Sequence, residues 1–453
     1  MQNPGNCKTK AEWYTISTMD RSIIEVQYPL TFRQEDTKRL GEHLMHRQSV
    51  ELIGMKRVGI SNFLRFFLYH ADVVGTYISK EQKHVFIPVD LNDLVERELY
   101  PFWSLTLKRI LDVVERSDIP GLKKKEIESL FLGGMQSQEL FLLIDNVRRA
   151  LIKLVEANVF PTLFFLRFDR IKDVVTPQFF DNLQGLNDAT HQKVAYVFTS
   201  FRRLNTLSPS VFTKQSLSVF THPMYIKPAA KKDMEVIFET FKSQYKVALS
   251  KEIEETVFKV ASGHVQYLQL ALILLNEKRD QDIKTDDQLL HLLVQDERIV
   301  LQSEELWESL TKEEKTVLQK IKNGDAIDED EKTRARYLFD GGFVRDTGKK
   351  LAVFSQLFDH FLSLQNGKEA EAEQVHFSKK EHLLFTVLKE TIDEICERET
   401  IIEAVWPEYK DLGVSDWAID RLVARVRVKL KQQKSLYEIK TIRTRGYRLV
   451  STE

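Results

Sequence analysis

Five short apolar runs lie between residues 21 and 230, and their alternation with longer amphipathic stretches is the strongest constraint on the fold. The runs are Val50–Ile53, Val85–Val89, Thr162–Leu166, Val194–Phe198 and Met224–Ile226. Runs that are apolar throughout are typical of strands covered on both faces, and the amphipathic stretches between them are typical of crossover helices. The pattern therefore predicts βα units around a parallel sheet, which is an α/β domain.

Composition narrows the class of protein further. Hydrophobic residues make up 43% of the 453 residues and charged residues 29%, which excludes an intrinsically disordered chain. At roughly 150 residues per domain, this length predicts about three domains. The formal net charge is -1, which excludes a chain that is basic throughout, so a nucleic-acid-binding surface would have to be a local patch.

Cysteine usage and hydropathy exclude several other classes. Cys7 and Cys396 lie far apart and have no metal-ligand spacing, so we expect two reduced thiols, no disulfide and no metal site. No apolar run approaches the roughly 20 residues that a membrane span needs, and residues 1–20 carry no signal-peptide pattern. We therefore expect a soluble cytoplasmic protein that does not contact a membrane.

The remaining segments predict a multidomain α/β plus α+β chain. Amphipathic helices around residues 231–245, 251–261 and 265–275 indicate a helical lid, and a later order of helix, helix and hairpin indicates an inner winged helix. A polar stretch then marks a linker before the last module. The expected boundaries are 1–230 for the α/β domain, 231–300 for the lid, 301–365 for the inner winged helix, 366–376 for the linker and 377–453 for the C-terminal winged helix.

The C-terminal module carries a one-sided basic surface. A helix over residues 418–430 places Ile419, Val423, Val426 and Leu430 on one stripe and Arg421, Arg425 and Lys429 on another, with Arg427 at its flank. A hairpin with strands at 437–442 and 447–450 follows. Between residues 421 and 448 the only acid is Glu438, against basic residues at 421, 425, 427, 429, 431, 434, 440, 443, 445 and 448. Such a helix fits the major groove of DNA, although a basic face that is only solvated is the simpler alternative.

Residues 377–451 closely resemble the winged-helix effector domain of the OmpR/PhoB family. The resemblance is carried by Val414–Asp416, by Arg425–Leu430 and by Thr441–Leu449. It implies that the third helix reads the major groove of double-stranded DNA and that the hairpin contacts the adjacent backbone or minor groove. The implied DNA contacts are Arg421, Arg425, Arg427, Lys429, Arg443 and Arg445. The sequence departs from the family pattern at Leu422, where a polar residue is common, and at Thr444 and Arg445, where the family has a small or apolar pair.

A glycine loop follows the first predicted strand. Gly54-Met55-Lys56-Arg57-Val58-Gly59-Ile60-Ser61 has the spacing of G-x-x-x-x-G-K-[ST], a loop whose backbone N–H groups cradle phosphates. Ile60 stands at the lysine position, so Lys56 or Arg57 would have to supply the missing positive charge. The vestigial nucleotide-binding residues are Gly54, Gly59 and Ser61. Alternatively, the glycines only serve a tight turn between strand and helix.

Around this loop, residues 25–300 resemble the STAND/AAA-like ATPases. Leu166 and Arg167 stand where that family has the acidic pair that holds magnesium and activates water, and Asp169 matches a later, non-catalytic acid. Val265 in Ser262-Gly263-His264-Val265 replaces the proline of the family's GGHP turn. Loss of both the phosphate cation and the magnesium ligand removes the electrostatic stabilisation of phosphoryl transfer. We therefore expect no catalytic residues, no bound cofactor and no ATP hydrolysis, with residual ATP or ADP binding as the alternative.

The favoured interpretation is a bacterial DNA-binding transcription regulator. Its degenerate NTPase-like platform would sense a protein partner or ligand, and a homodimer would fit readers that use two half-sites. Two alternatives remain. One is a protein-interaction adaptor of a stress or defence system, whose basic winged helix docks an acidic partner. The other is a nucleotide-binding switch in which Lys56 or Arg57 replaces the missing lysine.

Overall fold

The structure is a computed structural model that describes residues 23–451 except 80–81, 118–123, 212–220, 246, 248, 279–284, 347, 349, 369–376, 378, 407–415, 434 and 443–444. The chain divides into two compact units. The first consists of Met1–Asp286 and Glu308–Gln356, and the second of Asp287–Trp307 and Leu357–Glu453. Residues 287–307, which the sequence assigned to the lid and the inner winged helix, are thus grouped with the C-terminal module. The finer domain boundaries stay a prediction.

A five-stranded parallel sheet organises the described part of the first unit. The strands run in the order β2-β3-β4-β1-β5, so β1 lies between β4 and β5, with Val50 opposite Val197 on one side and His222 on the other. Every residue of β1 is buried, as its continuous apolar run predicts. The parallel sheet is confirmed, with strands β1 (Ser49–Ile53), β2 (Lys83–Asp90), β3 (Val159–Leu166), β4 (Ala195–Ser200) and β5 (Thr221–Tyr225).

Helices cover the sheet and bury an aromatic core against it. Phe102 and Phe179 pack edge to face with ring centroids 5.0 Å apart, and Phe102 also contacts Phe165 of β3 at 5.1 Å. These edge-to-face contacts add to the free energy of burying large apolar surfaces. The helices are α1 (Gln34–Met45), α2 (Ile60–Tyr69), α3 (Val73–Tyr77), α4 (Leu99–Arg116), α5 (Lys124–Ser137), α6 (Leu140–Glu156), α7 (Pro177–Ala189) and α8 (Leu204–Leu207).

Helices also fill the middle of the chain, before a small hairpin. They are α9 (Lys231–Tyr245), α10 (Lys251–Ala261), α11 (Val265–Glu277), α12 (Asp286–Gln295), α13 (Glu297–Glu308), α14 (Lys312–Asn323), α15 (Glu329–Arg334) and α16 (Arg336–Asp340). The hairpin strands β6 (Val344–Asp346) and β7 (Leu351–Val353) pair in antiparallel fashion after α16. The expected inner order of helix, helix and hairpin is therefore present. A capping box fixes the start of α14, where Thr311 Oγ1 accepts from Glu314 N at 3.3 Å and Glu314 Oε2 accepts from Thr311 N at 2.9 Å.

The C-terminal module is a three-helix unit closed by a small sheet, and helix α17 (Gln356–Lys368) precedes it. The elements of the module are α18 (Lys379–Glu390), β8 (Cys396–Glu397), α19 (Arg398–Val405), α20 (Asp416–Gln432), β9 (Tyr437–Ile442) and β10 (Gly446–Ser451). The sheet order is β8-β10-β9 and all pairings are antiparallel. Helix α17 continues to Lys368, so the first three residues of the expected linker at 366–376 are helical, and most of the others lie outside the described residues. Among the helices described, none is long and apolar enough to cross a membrane.

Candidate nucleic-acid interface and phosphate loop

Helix α20 buries one stripe and presents another. Ile419, Val423 and Val426 have no exposed surface, and they pack in one cluster with Leu384 of α18 and Leu449 of β10. Leu422, at the position where the family commonly has a polar residue, is 1% exposed and joins this core rather than facing a ligand. Arg421 and Val428 are seven residues apart and start from the opposite face of α20, but Arg421 is half-buried and its Nε and Nη2 atoms have almost no exposed surface. Val428 is 56% exposed.

Two of the predicted DNA contacts, Arg425 and Lys429, lie on the flank of α20 that faces α18. Arg425 Nη1 donates to Glu304 Oε2 of α13 at 2.5 Å, and its Nε lies 3.2 Å from Glu381 Oε1. Lys429 Nζ donates to Glu381 Oε2 at 2.5 Å. The Glu381 side chain is only 2% exposed, so two cations compensate one buried carboxylate. Both cations are engaged inside the molecule in this conformation.

Arg427 lies on the other flank of α20 and ties the helix to the hairpin. Its Nε donates to the Ile439 carbonyl at 2.8 Å, and its Nη2 donates to Thr441 Oγ1 at 2.8 Å. Burial lowers the pKa of the Arg427 guanidinium from its ordinary value. The structure therefore gives Arg427 a part in holding β9 against α20.

The hairpin is held to the helices at two points. Arg445 lies exposed in the turn between β9 and β10, whereas Arg443 lies outside the described residues. The Tyr447 hydroxyl donates to Asp420 of α20, and Arg398 of α19 donates to the same oxygen at 2.6 Å. Burial is the main reason why the pKa of Tyr447 lies far above its ordinary value. These bonds fix the wing relative to both helices.

Sequence reasoning missed the two acids that engage the basic flank. Glu381 has the capping-box spacing after Ser378, which predicts a local role at the start of a helix, and Ser378 lies outside the described residues. Glu304 stands 121 residues before Arg425, so no local spacing could have pointed to it. The only signal in the sequence was the acidic character of residues 304, 305 and 308.

The phosphate loop in the first unit is filled by its own apolar side chains. A Cβ placed on Gly54 would lie 3.0 Å from Ile60 Cδ1 and 3.0 Å from Val58 Cγ1. Val58 is 1% exposed, so its side chain lies inside the protein. Ile60 therefore has two effects: the loop lacks the positive charge of a lysine, and the Ile60 side chain packs over the first glycine of the loop. Ser61, the third vestigial residue, is exposed at the start of α2.

The turn before α11 packs directly on this loop. Gly59 has φ +111°, and a Cβ there would lie 2.5 Å from Val265 Cγ2. His264 is fully buried, with Nε2 3.0 Å from the Lys56 carbonyl and Nδ1 3.3 Å from Tyr267 N. Nδ1 must then accept while Nε2 donates, so the imidazole is neutral. Burial lowers the pKa of His264 to about 4.

Arginine replaces the acidic pair at the end of β3. Arg167 has φ +59°, its backbone N donates to Thr199 Oγ1 at 2.7 Å, and its guanidinium donates to Asp90 Oδ1 at 2.5 Å. Burial raises the pKa of the Asp169 carboxyl, and the nearby charge of Lys56 opposes that rise. The Lys56 ammonium lies 4.9 Å from the centre of the Phe201 ring. Among the described residues, no group of three His, Cys, Asp or Glu side chains could hold a metal ion.

A cavity of about 790 Å³ opens in the first unit beyond the carboxyl ends of β4 and β5. Its wall includes Arg202, which donates to both Glu314 carboxylate oxygens and lies 3.8 Å from the centre of the Tyr337 ring. Arg203 Nε is buried and lies 4.0 Å from Glu51 Oε2, which is an ion pair too long for a hydrogen bond. The lining residues are Arg202, Arg203, Thr206, Pro223, Tyr225, Thr311, Glu313, Glu314, Arg334, Arg336, Tyr337 and Asp340.

These features define the class of each part of the chain. The sheet order with a glycine loop after β1 is that of a P-loop NTPase-like domain, and the three helices closed by a hairpin form a winged helix. Residues 372–449 match the sequence family described as "Transcriptional regulatory protein, C terminal". The chain thus carries an OmpR/PhoB-type DNA-binding domain of transcription regulators at its C-terminus. No curated protein matches the sequence as a whole.

Solved structures with similarity to this chain include a Walker-type ATPase and two ORC proteins. The Walker-type ATPase PABY2304 of Pyrococcus abyssi is 14% identical with a TM-score of 0.45, covering 73% of this chain and 95% of that chain. The Aeropyrum pernix ORC2 protein in ADPNP–ADP complexes is 13% identical, with a TM-score of 0.41 and coverages of 78% and 99%. The Aeropyrum pernix ORC1 protein in complex with DNA is 15% identical, with a TM-score of 0.37 and coverages of 95% and 93%.

Proposed function

We propose that this protein is a transcription regulator that binds double-stranded DNA through α20 and the β9–β10 hairpin. The one-sided basic surface of a matched DNA-binding domain is the observation that carries the proposal. Arg421, on the same face of α20 as Val428, would contact bases or phosphates in the major groove once its partly buried guanidinium turns outward. Val428, exposed beside it, suits apolar contact with a thymine methyl group. Arg443 and Arg445 on the wing would contact the adjacent backbone or minor groove.

The flanking cations have different parts in this proposal. Arg427 positions the wing because its Nε and Nη2 donate to β9. Only its remaining N–H groups would be available for contact with a phosphate. Arg425 and Lys429 would contact DNA once the bonds to Glu304 and Glu381 rearrange. The affinity would then come mainly from phosphate neutralisation and would fall with salt.

The test is duplex DNA binding by the full-length protein and by a variant that lacks one cation of α20 and one of the wing, Arg421→Gln/Arg445→Gln. We expect the variant to bind at least about tenfold more weakly, since each lost phosphate or base contact costs about 1 kcal/mol or more. The matched control, Lys38→Gln/Lys332→Gln, removes the same charge from α1 and α15 and should bind like the wild type. Equal affinity of all three would reject the proposed interface and favour the adaptor alternative, in which the winged helix docks an acidic protein.

We further propose that the P-loop NTPase-like domain is a platform that does not hydrolyse ATP. Three observations support this: Ile60 packs over Gly54, Val265 packs on Gly59, and Arg167 pairs with Asp90 where magnesium ligands would be needed. An arginine at that place repels the metal and cannot activate water. We expect no magnesium-dependent ATPase activity and no change in thermal stability with ATP or ADP. Magnesium-dependent ATP binding that Gly59→Asp abolishes would instead establish the nucleotide-switch alternative.

The platform would receive the input signal, and the cavity beyond β4 and β5 supports a ligand or partner site there. The four arginines of its lining outnumber the three acids, and this surplus of positive charge suits an anionic group. We also propose that the regulator acts in the cytoplasm and binds its operator as a homodimer on two half-sites. The stoichiometry of the DNA complex, measured by analytical ultracentrifugation, tests the homodimer.

A further inference from the structure

One face of helix α13 lies along the winged helix within the second compact unit. Glu304 pairs with Arg425 of α20, and Glu297 pairs with Lys380 of α18. These two glutamates are seven residues apart, so they lie on the same face of α13, about 10 Å from each other along the axis. A single acidic edge therefore contacts two of the three helices of the DNA-binding domain.

The contact with α20 is well shielded from solvent. The side chains of Arg425 and Glu304 are 16% and 20% exposed, and the second partner of Arg425, Glu381, is 2% exposed. Charges in such partly buried positions are screened by salt less than surface charges are. Arg425 is consequently held between two carboxylates, one from its own winged helix and one from α13.

Glu304 and a DNA phosphate would need the same guanidinium group. Glu381 can keep its contact with Arg425 Nε and Lys429 while DNA is bound, because it belongs to the core of the winged helix. Glu304 instead belongs to a segment that precedes the winged helix by more than fifty residues, and it takes the Nη1 atom at the outer end of the side chain. A carboxylate there would also repel an approaching phosphate.

We propose that α13 is an internal competitor of DNA, with Glu304 occupying Arg425 until DNA or an input signal displaces it. This inference rests on the proposed DNA-binding function and adds the means of its regulation. The coupling is reciprocal: DNA weakens the contact of α13 with the winged helix, and whatever draws α13 away raises the affinity for DNA. Helix α13 is suited to this because its last residue, Glu308, is where the chain enters the first compact unit again.

A double-mutant cycle in the full-length protein tests the competition. The variants are Glu304→Gln, Arg425→Gln and the double variant, and random duplex DNA is titrated at several salt concentrations. We expect Glu304→Gln to raise the affinity for DNA about fivefold, because DNA no longer has to break a partly shielded ion pair. The slope of log affinity against log salt should become steeper by about 0.9, because Arg425 can then neutralise one more phosphate. In the Arg425→Gln background, the same substitution should change the affinity by less than about twofold, because the competing pair no longer exists.

The matched control is Glu308→Gln, which removes the same charge one turn further along α13. It should change DNA affinity by less than about twofold, since screened charges at that distance act weakly. The competition is refuted if Glu304→Gln gains no more than this control, or if its gain persists without Arg425. Absence of DNA binding by every variant at low salt would refute the DNA-binding function itself. Circular dichroism melts establish that each variant is folded.

Discussion

Gly446 shows how one residue fixes the wing of the DNA-binding domain. A Cβ at this position would lie 2.0 Å from the carbonyl oxygen of Cys396 and 3.0 Å from the Cα of Glu397, so β10 approaches β8 more closely than any side chain allows. The adjoining Tyr447 is buried and bonded to Asp420. Gly446 lies in the segment Thr441–Leu449 that carries the family resemblance, and the structure supplies the steric reason for this glycine.

Substituting Gly446 tests this packing. Gly446→Ala should destabilise the C-terminal module by about 2 kcal/mol or more, because the obstructing atoms belong to the backbone and can relax only by moving β8. Gly185→Ala in α7 is the control, since a Cβ there meets nothing within 4 Å and alanine is the better helix former. Urea unfolding of both variants gives the two free energies. Equal stability of Gly446→Ala and the wild type would contradict the steric account.

At the same scale, the sequence predicted what was lost from the phosphate loop but not what replaced it. Ile60, Leu166 and Arg167 stand out by comparison with a motif, so the missing charges could be recognised directly. That Ile60 packs over Gly54, or that Arg167 pairs with Asp90, depends on atoms brought together by folding. The same holds for Glu304 and Arg425, which no periodicity connects.

Among the elements, the contact of the turn before α11 with the phosphate loop depends on a neutral histidine. His264 accepts from Tyr267 N and donates to the Lys56 carbonyl, and a second proton would abolish the first bond. Its pKa is lowered to about 4 by burial, below the ordinary value of 6.5. Between pH 6.5 and pH 4, the unfolded state therefore binds more protons at His264 than the folded state does. The contribution of the neutral imidazole to stability is complete above pH 6.5 and is lost as the pH falls toward 4.

The lowered pKa of His264 predicts how the free energy of unfolding depends on pH. Between about pH 6.5 and pH 4 the wild type should lose up to about 3 kcal/mol of unfolding free energy from His264 alone. His264→Gln should be less stable at neutral pH but show a shallower decline over the same range. Urea titrations at several pH values measure both slopes, and parallel slopes for the two proteins would contradict the neutral, buried imidazole.

A second pairing of elements joins the end of β4 to the inner winged helix. Arg202 and Glu314 are 7% and 4% exposed, and Arg202 also donates to the Ser309 carbonyl at 2.6 Å. Glu314 closes the capping box of α14 at the same time. Removal of this carboxylate leaves a buried guanidinium without its charge partner.

We expect Glu314→Ala to lower the free energy of unfolding by about 3–5 kcal/mol, the usual cost of breaking a buried ion pair from one side. Glu331→Ala removes a capping-box glutamate from the start of α15, where the Lys320–Glu331 pair is more exposed, and should cost only about 1 kcal/mol. Thermal and urea unfolding compare the two variants. Similar losses for both would show that the Arg202–Glu314 pair is not the anchor described here.

Most elements were predictable because they depend on local pattern. The five strands of the parallel sheet and helices α9, α10 and α11 begin and end within a few residues of the predicted positions. Helix α17 was not predicted, and it runs into the predicted linker because Gln365-Asn366-Gly367, a turn signal in isolation, continues a helix that is anchored by Phe358 and Leu362. Packing of the helix thus outweighed the local preference of three residues.

For the whole molecule, a net charge near zero hides a strongly uneven distribution of charge along the chain. The net charge is -1, yet the segment from 421 to 448 holds ten basic residues and one acid. The sequence located that segment, while the grouping of residues 287–307 with it emerged only from the structure. Two cations of that segment, Arg425 and Lys429, are engaged by glutamates of the same compact unit. In the proposed function, DNA affinity would therefore depend on whether α13 stays bound to the winged helix.

The most direct test of the central claim is equilibrium binding of the full-length protein to random duplex DNA between about 50 and 200 mM salt, without nucleotide. The account predicts binding whose log affinity falls linearly with log salt, with a slope of about −4 to −6 for the outward and flanking cations of α20 and the wing. Added ATP and magnesium should leave that slope and affinity unchanged. Binding that is absent at the lowest salt, or that appears only with ATP, would contradict the account.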